Sequence, residues 1–125
     1  MPSPNDRRYL DSHEWHRPTD DGHVEVGISQ FAVDELTDIT YLEVLTTEGS
    51  VGKGDTFGEI ESVKATSDLY CGIDGEVVAV NQAVVDEPSA INDDPYTAWL
   101  IRVRPSDPAQ VESLLDASDY DAANG

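Results

Sequence analysis

Lys64 is the residue of this sequence best suited to covalent chemistry. It lies in the segment Glu61-Ser62-Val63-Lys64-Ala65, at the break between two predicted strands. A lysine at the tip of a β-hairpin keeps its amine in water. The chain has 125 residues and keeps only two lysines, and only lysine offers a compact amine nucleophile that can be acylated. Lys64 is therefore a candidate acylation site, and the alternative is an ordinary solvated turn lysine, which is also the reading for Lys53.

Other groupings of reactive residue types do not form a site. His13-Glu14-Trp15-His16 is one residue short of a His-Glu-x-x-His zinc motif, and in an extended segment an offset of three points the two imidazoles to opposite faces. Cys71 is the single cysteine, so we expect a small buried or half-buried residue and no intrachain disulfide. We expect no catalytic residue and no metal site, hence a protein that is not an enzyme.

Acidic residues dominate the composition. There are 26 Asp and Glu against 7 Lys and Arg, a formal net charge of −19. Binding to nucleic acid or to an anionic membrane needs clustered cations, so we expect neither. No apolar run approaches the roughly 18 residues of a membrane-spanning helix, and residues 1–8 lack the apolar stretch of a signal peptide. We expect a soluble cytoplasmic protein.

The distribution of the acidic residues indicates an environment of high salt concentration. They are spread through most of the predicted elements, with no run longer than two. Such a charge field repels itself in dilute salt, and screening shortens from about 8 Å at physiological ionic strength to about 3 Å at 1 M. The sequence therefore predicts adaptation to a high-salt cytosol, as in a halophile, and a generic acidic protein is the alternative.

The first half of the chain predicts a strand followed by a short helix. Val24, Val26 and Ile28 alternate, which predicts a half-buried strand over 23–28. Ser29 then stands where a helix N-cap is expected. We predict that residues 1–8 are a flexible N-terminus and that residues 9–125 form a single domain.

Strands flank Lys64 and continue beyond it. They are predicted over 57–63 and 65–70, and Asp74-Gly75 predicts a tight turn before a further strand. Residues 81–95 are predicted irregular with one helical turn at most. The remaining predicted elements are strands over 39–45, 76–80 and 97–103 and helical stretches after Asp107 and from Ser118. This pattern predicts a mainly β fold, a small antiparallel barrel or sandwich with peripheral short helices and a C-terminal helix.

The segment around Lys64 resembles the attachment motif of lipoyl domains. More narrowly, the chain resembles the H-protein family of the glycine cleavage system from about residue 9 to about residue 120. The matching motifs, in order, are Tyr9…Ser12-His13-Glu14-Trp15, Gly27-Ile28-Ser29…Ala32, Gly75-Glu76-Val77-Val78-Ala79-Val80-Asn81, Ile91-Asn92…Pro95-Tyr96…Trp99 and Glu112-Ser113-Leu114-Leu115. The resemblance implies a barrel-sandwich hybrid of the lipoyl- or biotinyl-carrier type.

The same resemblance implies a carrier function. Lipoate would be joined to Lys64 by an amide, and the arm would take the methylamine group of glycine from the P protein, glycine dehydrogenase, to the T protein, an aminomethyltransferase. The L protein, dihydrolipoyl dehydrogenase, would reoxidise the arm, and a lipoate-attaching enzyme would install it. The loaded arm would fold into a surface cleft near Ser12, Glu14 and Asp68, with Glu14 holding the cationic amine.

Two positions depart from the family pattern. The family often has a histidine where this chain has Phe31, which implies an apolar contact there, and often has a proline where this chain has Gly72. Two other carrier functions stay open. One is a lipoate-relay protein that donates lipoyl groups to other lipoyl domains. The other is a biotinyl carrier, which the Val63 and Ala65 neighbours of Lys64 disfavour, because biotin sites usually carry Met on both sides of the lysine.

Overall fold

A computed structural model describes residues 3–46 and 48–124 of the chain. These residues form short strands and short helices. In chain order the elements are β1 (Arg8–Tyr9), β2 (Glu14–Pro18), β3 (Val24–Ile28), α1 (Gln30–Leu36), β4 (Ile39–Val44), β5 (Gly49–Val51), β6 (Thr56–Ser62), β7 (Thr66–Tyr70), β8 (Gly75–Val80), α2 (Gln82–Asp86), α3 (Ser89–Asp93), β9 (Ile101–Pro105), α4 (Ala109–Glu112) and α5 (Ala117–Asn124). The predicted mainly β class with peripheral short helices is confirmed.

Two antiparallel sheets make up the body of the molecule. One has six strands in the order β1-β2-β3-β9-β8-β5, and the other has three in the order β4-β6-β7. Apolar side chains from both sheets form one continuous buried core, in which Val26, Phe57, Ile60, Leu100 and Ile101 are fully enclosed. Burial of this apolar surface is the main driving force that holds the two sheets together.

The predicted junction between β3 and α1 is confirmed. Ser29 is the N-cap of α1, and its side-chain oxygen accepts a hydrogen bond from the Ala32 backbone N–H. This bond satisfies one of the helix donors that lack an intrahelical partner. Strand β3, however, is buried on both faces and not half-buried as predicted. Glu25 lies on its second face, where its carboxylate oxygens are 2.8 Å from Arg17 Nη2 and 2.9 Å from Arg102 Nη2.

Gly75 has a different role from the predicted one. It does not turn the chain from β7 into a paired β8, because β7 belongs to the three-stranded sheet and β8 to the six-stranded sheet. A Cβ built on Gly75 would lie 2.4 Å from the Arg104 carbonyl oxygen. The glycine is required because β9 approaches its backbone closely.

The C-terminal half differs from its predicted boundaries. Residues 81–95, predicted to be irregular, contain both α2 and α3, which pack against β4. The strand predicted over 97–103 begins later, at Ile101, and runs to Pro105. Short polar helices of this kind lack a clear apolar stripe, so their sequence pattern is weak and tertiary packing decides them.

The N-terminal segment lies against the body of the protein. Ser3 donates two hydrogen bonds to the Asp121 carboxylate of α5, at 2.9 Å from its backbone N and 2.5 Å from its Oγ. The Arg7 guanidinium is buried over the Trp15 ring at 4.5 Å and donates to the Tyr96 carbonyl oxygen at 2.8 Å. Residues 3–8 therefore make specific contacts that their composition did not predict. The division into a flexible segment 1–8 and a domain 9–125 stays a prediction.

Among the residues described, every helix is too short or too polar to cross a bilayer.

Candidate functional site

Lys64 is exposed at the tip of the β6–β7 hairpin, as the sequence predicted. Ser62 closes the turn. Its backbone N–H donates to the Ala65 carbonyl oxygen at 2.8 Å, and its Oγ accepts from the backbone N–H groups of Lys64 at 3.1 Å and Ala65 at 3.0 Å. The Val63 N–H donates to the Asp38 carbonyl oxygen at 3.2 Å. The backbone at the tip is thus fixed, and the Lys64 side chain projects from it into solvent.

A cleft of about 220 Å³ opens beside this hairpin. It lies between β7 on one side and β2 with α1 on the other. Its walls combine apolar and acidic side chains. The lining residues are Ser12, His13, Glu14, Ile28, Ala32, Glu35, Leu36, Ile60, Ala65, Ser67, Asp68 and Leu69. The structure therefore brings Ser12, Glu14 and Asp68 together, and Ala65, the neighbour of Lys64, forms part of the same wall.

Glu14 is the buried carboxylate of the cleft. It is almost fully buried, and its two oxygens accept hydrogen bonds from Ser12 Oγ and, at 2.9 Å, from the Tyr70 backbone N–H. Burial raises the pKa of Glu14 to about 7, and the two hydrogen bonds oppose that effect only in part. A carboxylate held in this way gains more from a cationic partner than a carboxylate in water does.

Two titratable residues of the cleft, His13 and Glu35, were not predicted to lie there. His13 has a left-handed backbone, with φ of 83°, and it is one of the residues that line the cleft. The sequence gives no sign of this conformation. Glu35 could have been found, because it lies one helical turn after Ala32 and next to Leu36 on α1, and all three line the cleft, although the Glu35 side chain is exposed.

The two departures from the family pattern have visible surroundings. Phe31 is not in the cleft wall, and its ring stacks on His13 at a centroid distance of 6.2 Å. The Gly72 backbone N–H donates to His16 Nε2 at 2.9 Å, a bond that proline could not make. Burial lowers the pKa of His16 to about 3, so it is the neutral imidazole that accepts this bond.

Comparisons with known proteins decide the family. The model of the family "Glycine cleavage H-protein" matches residues 7–124. The chain belongs to the glycine cleavage H-protein family. It is 48% identical to the glycine cleavage system H protein of Synechococcus sp. (strain RCC307), covering 95% of this chain and 92% of that one. It is 50% identical to a probable glycine cleavage system H protein of Natronomonas pharaonis, over 95% and 94% of the two chains.

A solved structure supports the same family. The crystal structure of a glycine cleavage system H protein from Mycobacterium marinum superposes with a TM-score of 0.87 at 41% identity and covers 98% of each chain. The predicted barrel-sandwich hybrid is thereby confirmed. Members of the H-protein family are non-catalytic carriers in glycine cleavage that bear lipoate on a lysine. The carrier function and the absence of a catalytic role predicted from the sequence are confirmed on this basis.

The residues present fit an amide-linked lipoyl arm. Lys64 offers an exposed primary amine at a rigid turn, which an attaching enzyme can reach. The adjoining cleft has apolar walls from Ile28, Leu36 and Ile60, which suit a hydrocarbon chain that ends in sulfur. It also holds buried and exposed carboxylates, which suit an ammonium group.

Proposed function

We propose that Lys64 is the residue that carries lipoate in this member of the H-protein family. The observation that supports the proposal is the position of its amine at the tip of the β6–β7 hairpin, beside a cleft of matching chemistry. The alternative lysine, Lys53, lies in a turn between two glycines, where its backbone N–H donates to the Asp74 carboxylate. Lys53 is not among the residues that line the cleft beside the β6–β7 hairpin.

Attachment changes the properties of this side chain. The Lys64 ammonium gives up two protons as its Nζ bonds to the lipoyl carbonyl carbon and the activating group on that carbon leaves. The side chain thereby loses its positive charge and any attraction to nearby acids. Lipoate, once attached, supplies the sulfur chemistry of methylamine transfer. The turn at Ser62–Ala65 is a rigid attachment point for a long, flexible arm that can reach the active sites of more than one partner.

We further propose that Ser12, Glu14 and Asp68 form the cleft that receives the loaded arm. The apolar walls shield the arm from water, and the carboxylates face its cationic amine. Glu14 is the strongest candidate to hold the amine, because its burial leaves its charge poorly solvated. Ser12 positions the Glu14 carboxylate through the hydrogen bond from its Oγ.

The partners follow from the carrier function. We propose that the P protein loads the arm, that the T protein unloads it, that the L protein reoxidises it, and that a lipoate-attaching enzyme modifies Lys64. We also propose a cytoplasmic location and adaptation to high salt. The carrier function with these partners supports the location, and the formal net charge of −19 supports the adaptation to high salt.

Intact mass spectrometry tests the attachment site. After co-expression with a lipoate-attaching enzyme, the wild-type protein should gain the mass of one lipoyl group, and Lys64→Arg should gain none. Lys53→Arg is the matched control, because it removes the other lysine and should still gain one group. Modification of Lys64→Arg, or an unmodified wild-type protein beside a lipoylated reference H protein, would contradict the proposal.

A further inference from the structure

A tyrosine of the C-terminal helix contacts one of the residues that line the cleft. Tyr120 of α5 is fully buried, and its Oη lies 2.5 Å from His13 Nδ1 and 2.6 Å from Ser29 Oγ. His13 lines the cleft, and Ser29 is the N-cap of α1, the helix that forms one cleft wall. One hydroxyl group therefore connects a cleft side chain to the start of the helix beside it.

The direction of these hydrogen bonds follows from the donors available. Ser29 Oγ already accepts from the Ala32 N–H, so its own hydroxyl hydrogen can point to Tyr120 Oη. Tyr120 Oη–H then donates to His13 Nδ1. In the reverse direction the Ser29 hydroxyl would need a further acceptor, and the described residues offer none within hydrogen-bond distance. The neutral His13 imidazole therefore carries its hydrogen on Nε2.

The Nε2–H group of His13 is left available to a ligand. Its nearest charged neighbour is Glu35 Oε2 at 4.0 Å, which is beyond hydrogen-bond distance. Both residues line the cleft. Within the described part of the chain, His13 Nε2 has no hydrogen-bond partner. The cleft therefore contains a donor beside its carboxylates.

The orientation of His13 is set by its surroundings. Its backbone is held in the left-handed region by hydrogen bonds from its N–H to the Leu10 carbonyl oxygen at 3.0 Å and from the Ser29 N–H to its own carbonyl oxygen at 2.9 Å. Phe31 stacks on one face of the imidazole, and the Tyr120 ring meets it edge-on at 5.7 Å. Such an unfavourable backbone conformation persists only when several neighbours enforce it.

We propose that Tyr120 is a positioning residue that presents the His13 Nε2–H to the cleft as a hydrogen-bond donor for the lipoyl arm. The inference rests on the proposed function, in which the arm on Lys64 enters this cleft. An amide-linked arm has a carbonyl oxygen and, more weakly, sulfur as acceptors, and these cannot pair with Glu14, Glu35 or Asp68 when those carboxylates are ionised. His13 gives the arm a partner that the carboxylates do not.

Imidazole NMR tests the positioning of His13 directly. Long-range ¹H–¹⁵N spectra of the unlipoylated protein, recorded where His13 is neutral, should show the Nε2–H tautomer. Tyr120→Phe keeps the ring that stacks on Tyr9 at 4.5 Å and removes only the hydroxyl, so the His13 signals should move toward a mixture of tautomers. An Nδ1–H tautomer in the wild type, or unchanged His13 signals in Tyr120→Phe, would overturn the proposal.

Tyr9→Phe is the matched control for this spectrum. The Tyr9 hydroxyl donates to the Pro4 carbonyl oxygen at 2.6 Å and does not contact His13. The substitution removes a buried hydroxyl from the same aromatic cluster, so a general loosening of the cluster would appear in both variants. We expect the His13 signals to be unchanged in Tyr9→Phe, and an equal change in both variants would overturn a specific role for Tyr120.

A second measurement uses the lipoylated, methylamine-loaded protein. Hydrolysis of the loaded arm, which gives the free thiol, formaldehyde and ammonia, should be about two- to tenfold faster in Tyr120→Phe than in the wild type, the range that corresponds to one hydrogen bond. Tyr9→Phe should keep the wild-type rate. Equal rates for Tyr120→Phe and the wild type would overturn this inference while lipoylation of Lys64 still supports the carrier function. Failure of lipoylation would contradict the proposed function itself, whatever the NMR spectra show.

Discussion

At the scale of single residues, Glu14 shows how burial creates a functional carboxylate. Desolvation raises its pKa to about 7, whereas hydrogen bonds from Ser12 and the Tyr70 backbone favour the charged form. Near neutral pH, Glu14 therefore exchanges readily between its charged and neutral forms. A cationic amine in the cleft favours the charged form, so loading of the arm should release a proton from Glu14.

The raised pKa predicts a pH dependence of stability. Between pH 4.5 and about 7 the folded protein keeps a proton on Glu14 that the unfolded chain releases. The stabilisation by this group is complete below pH 4.5 and is lost as the pH rises through about 7. It amounts to about 3 kcal/mol in the free energy of unfolding. Urea unfolding measures the free energy of unfolding of the wild type and of Glu14→Gln. From pH 4 to pH 8 the wild type should lose about that amount of stability relative to Glu14→Gln.

The comparison with Glu14→Gln isolates this one group. Other titrating residues, including the buried His16, affect both proteins equally and cancel in the difference. Glutamine keeps the shape of the side chain and an oxygen that can accept from the Tyr70 N–H. A difference between the two proteins that stays constant from pH 4 to pH 8 would show that the Glu14 pKa is not raised by burial.

At the scale of secondary structure, the cleft exists because three elements meet around the edge of β7. Its walls come from β2, from α1 and from the β6–β7 hairpin, and Glu14 bridges the first and last of these through the Tyr70 N–H. On β7, Asp68 pairs in register with Glu59 of β6, which in turn pairs with Glu43 of β4. Like charges directly opposite one another are destabilising. Only Asp68 of these three lines the cleft.

This arrangement provides a matched pair of variants. Asp68→Asn removes one like-charge pair of this cross-strand row and Glu59→Gln removes two, so an effect that came only from relief of repulsion would be larger in Glu59→Gln. If the cleft holds the cationic arm, Asp68→Asn should speed hydrolysis of the aminomethyl group of the loaded protein several-fold, and Glu59→Gln should leave the rate unchanged. The measurement is ammonia or formaldehyde release over time. Equal rates for the two variants would remove Asp68 from the cleft function.

At the scale of the whole molecule, the net charge lowers the stability of the folded state by an amount that depends on the salt concentration. The formal net charge of −19 on 125 residues gives a repulsion that opposes the compact state. The Debye length falls from about 10 Å at 0.1 M salt to about 3 Å at 1 M, so salt removes most of this repulsion. We therefore predict that the melting temperature rises by several degrees between 0.1 M and 2 M KCl.

A charge-reduced variant controls for effects of salt other than screening. Asp38, Glu87 and Asp93 are exposed acids, and a triple change to the corresponding amides lowers the magnitude of the net charge without touching the cleft. Its melting temperature should depend less steeply on KCl than that of the wild type. Parallel salt curves for the two proteins would contradict adaptation to high salt through charge.

Local signals predicted the parts of the molecule that depend on local chemistry. The Ser29 cap and the hairpin around Lys64 follow from residue type and short-range hydrogen bonding, and the structure confirms both. The tight-turn reading of Gly75 was wrong, because a glycine satisfies a turn and a close approach of backbones equally well, and only the pairing of β8 with β9 distinguishes them.

The sequence by itself determined that an acylatable amine stands at an exposed bend in an acidic, mainly β protein, because turn chemistry and strand alternation are local properties. Only the tertiary structure decided what surrounds that amine. The cleft assembles Glu14, Asp68 and Tyr120-bound His13 from segments far apart in the chain. Their burial, and with it the raised pKa of Glu14 and the orientation of His13, depends on packing between elements that no local pattern specifies.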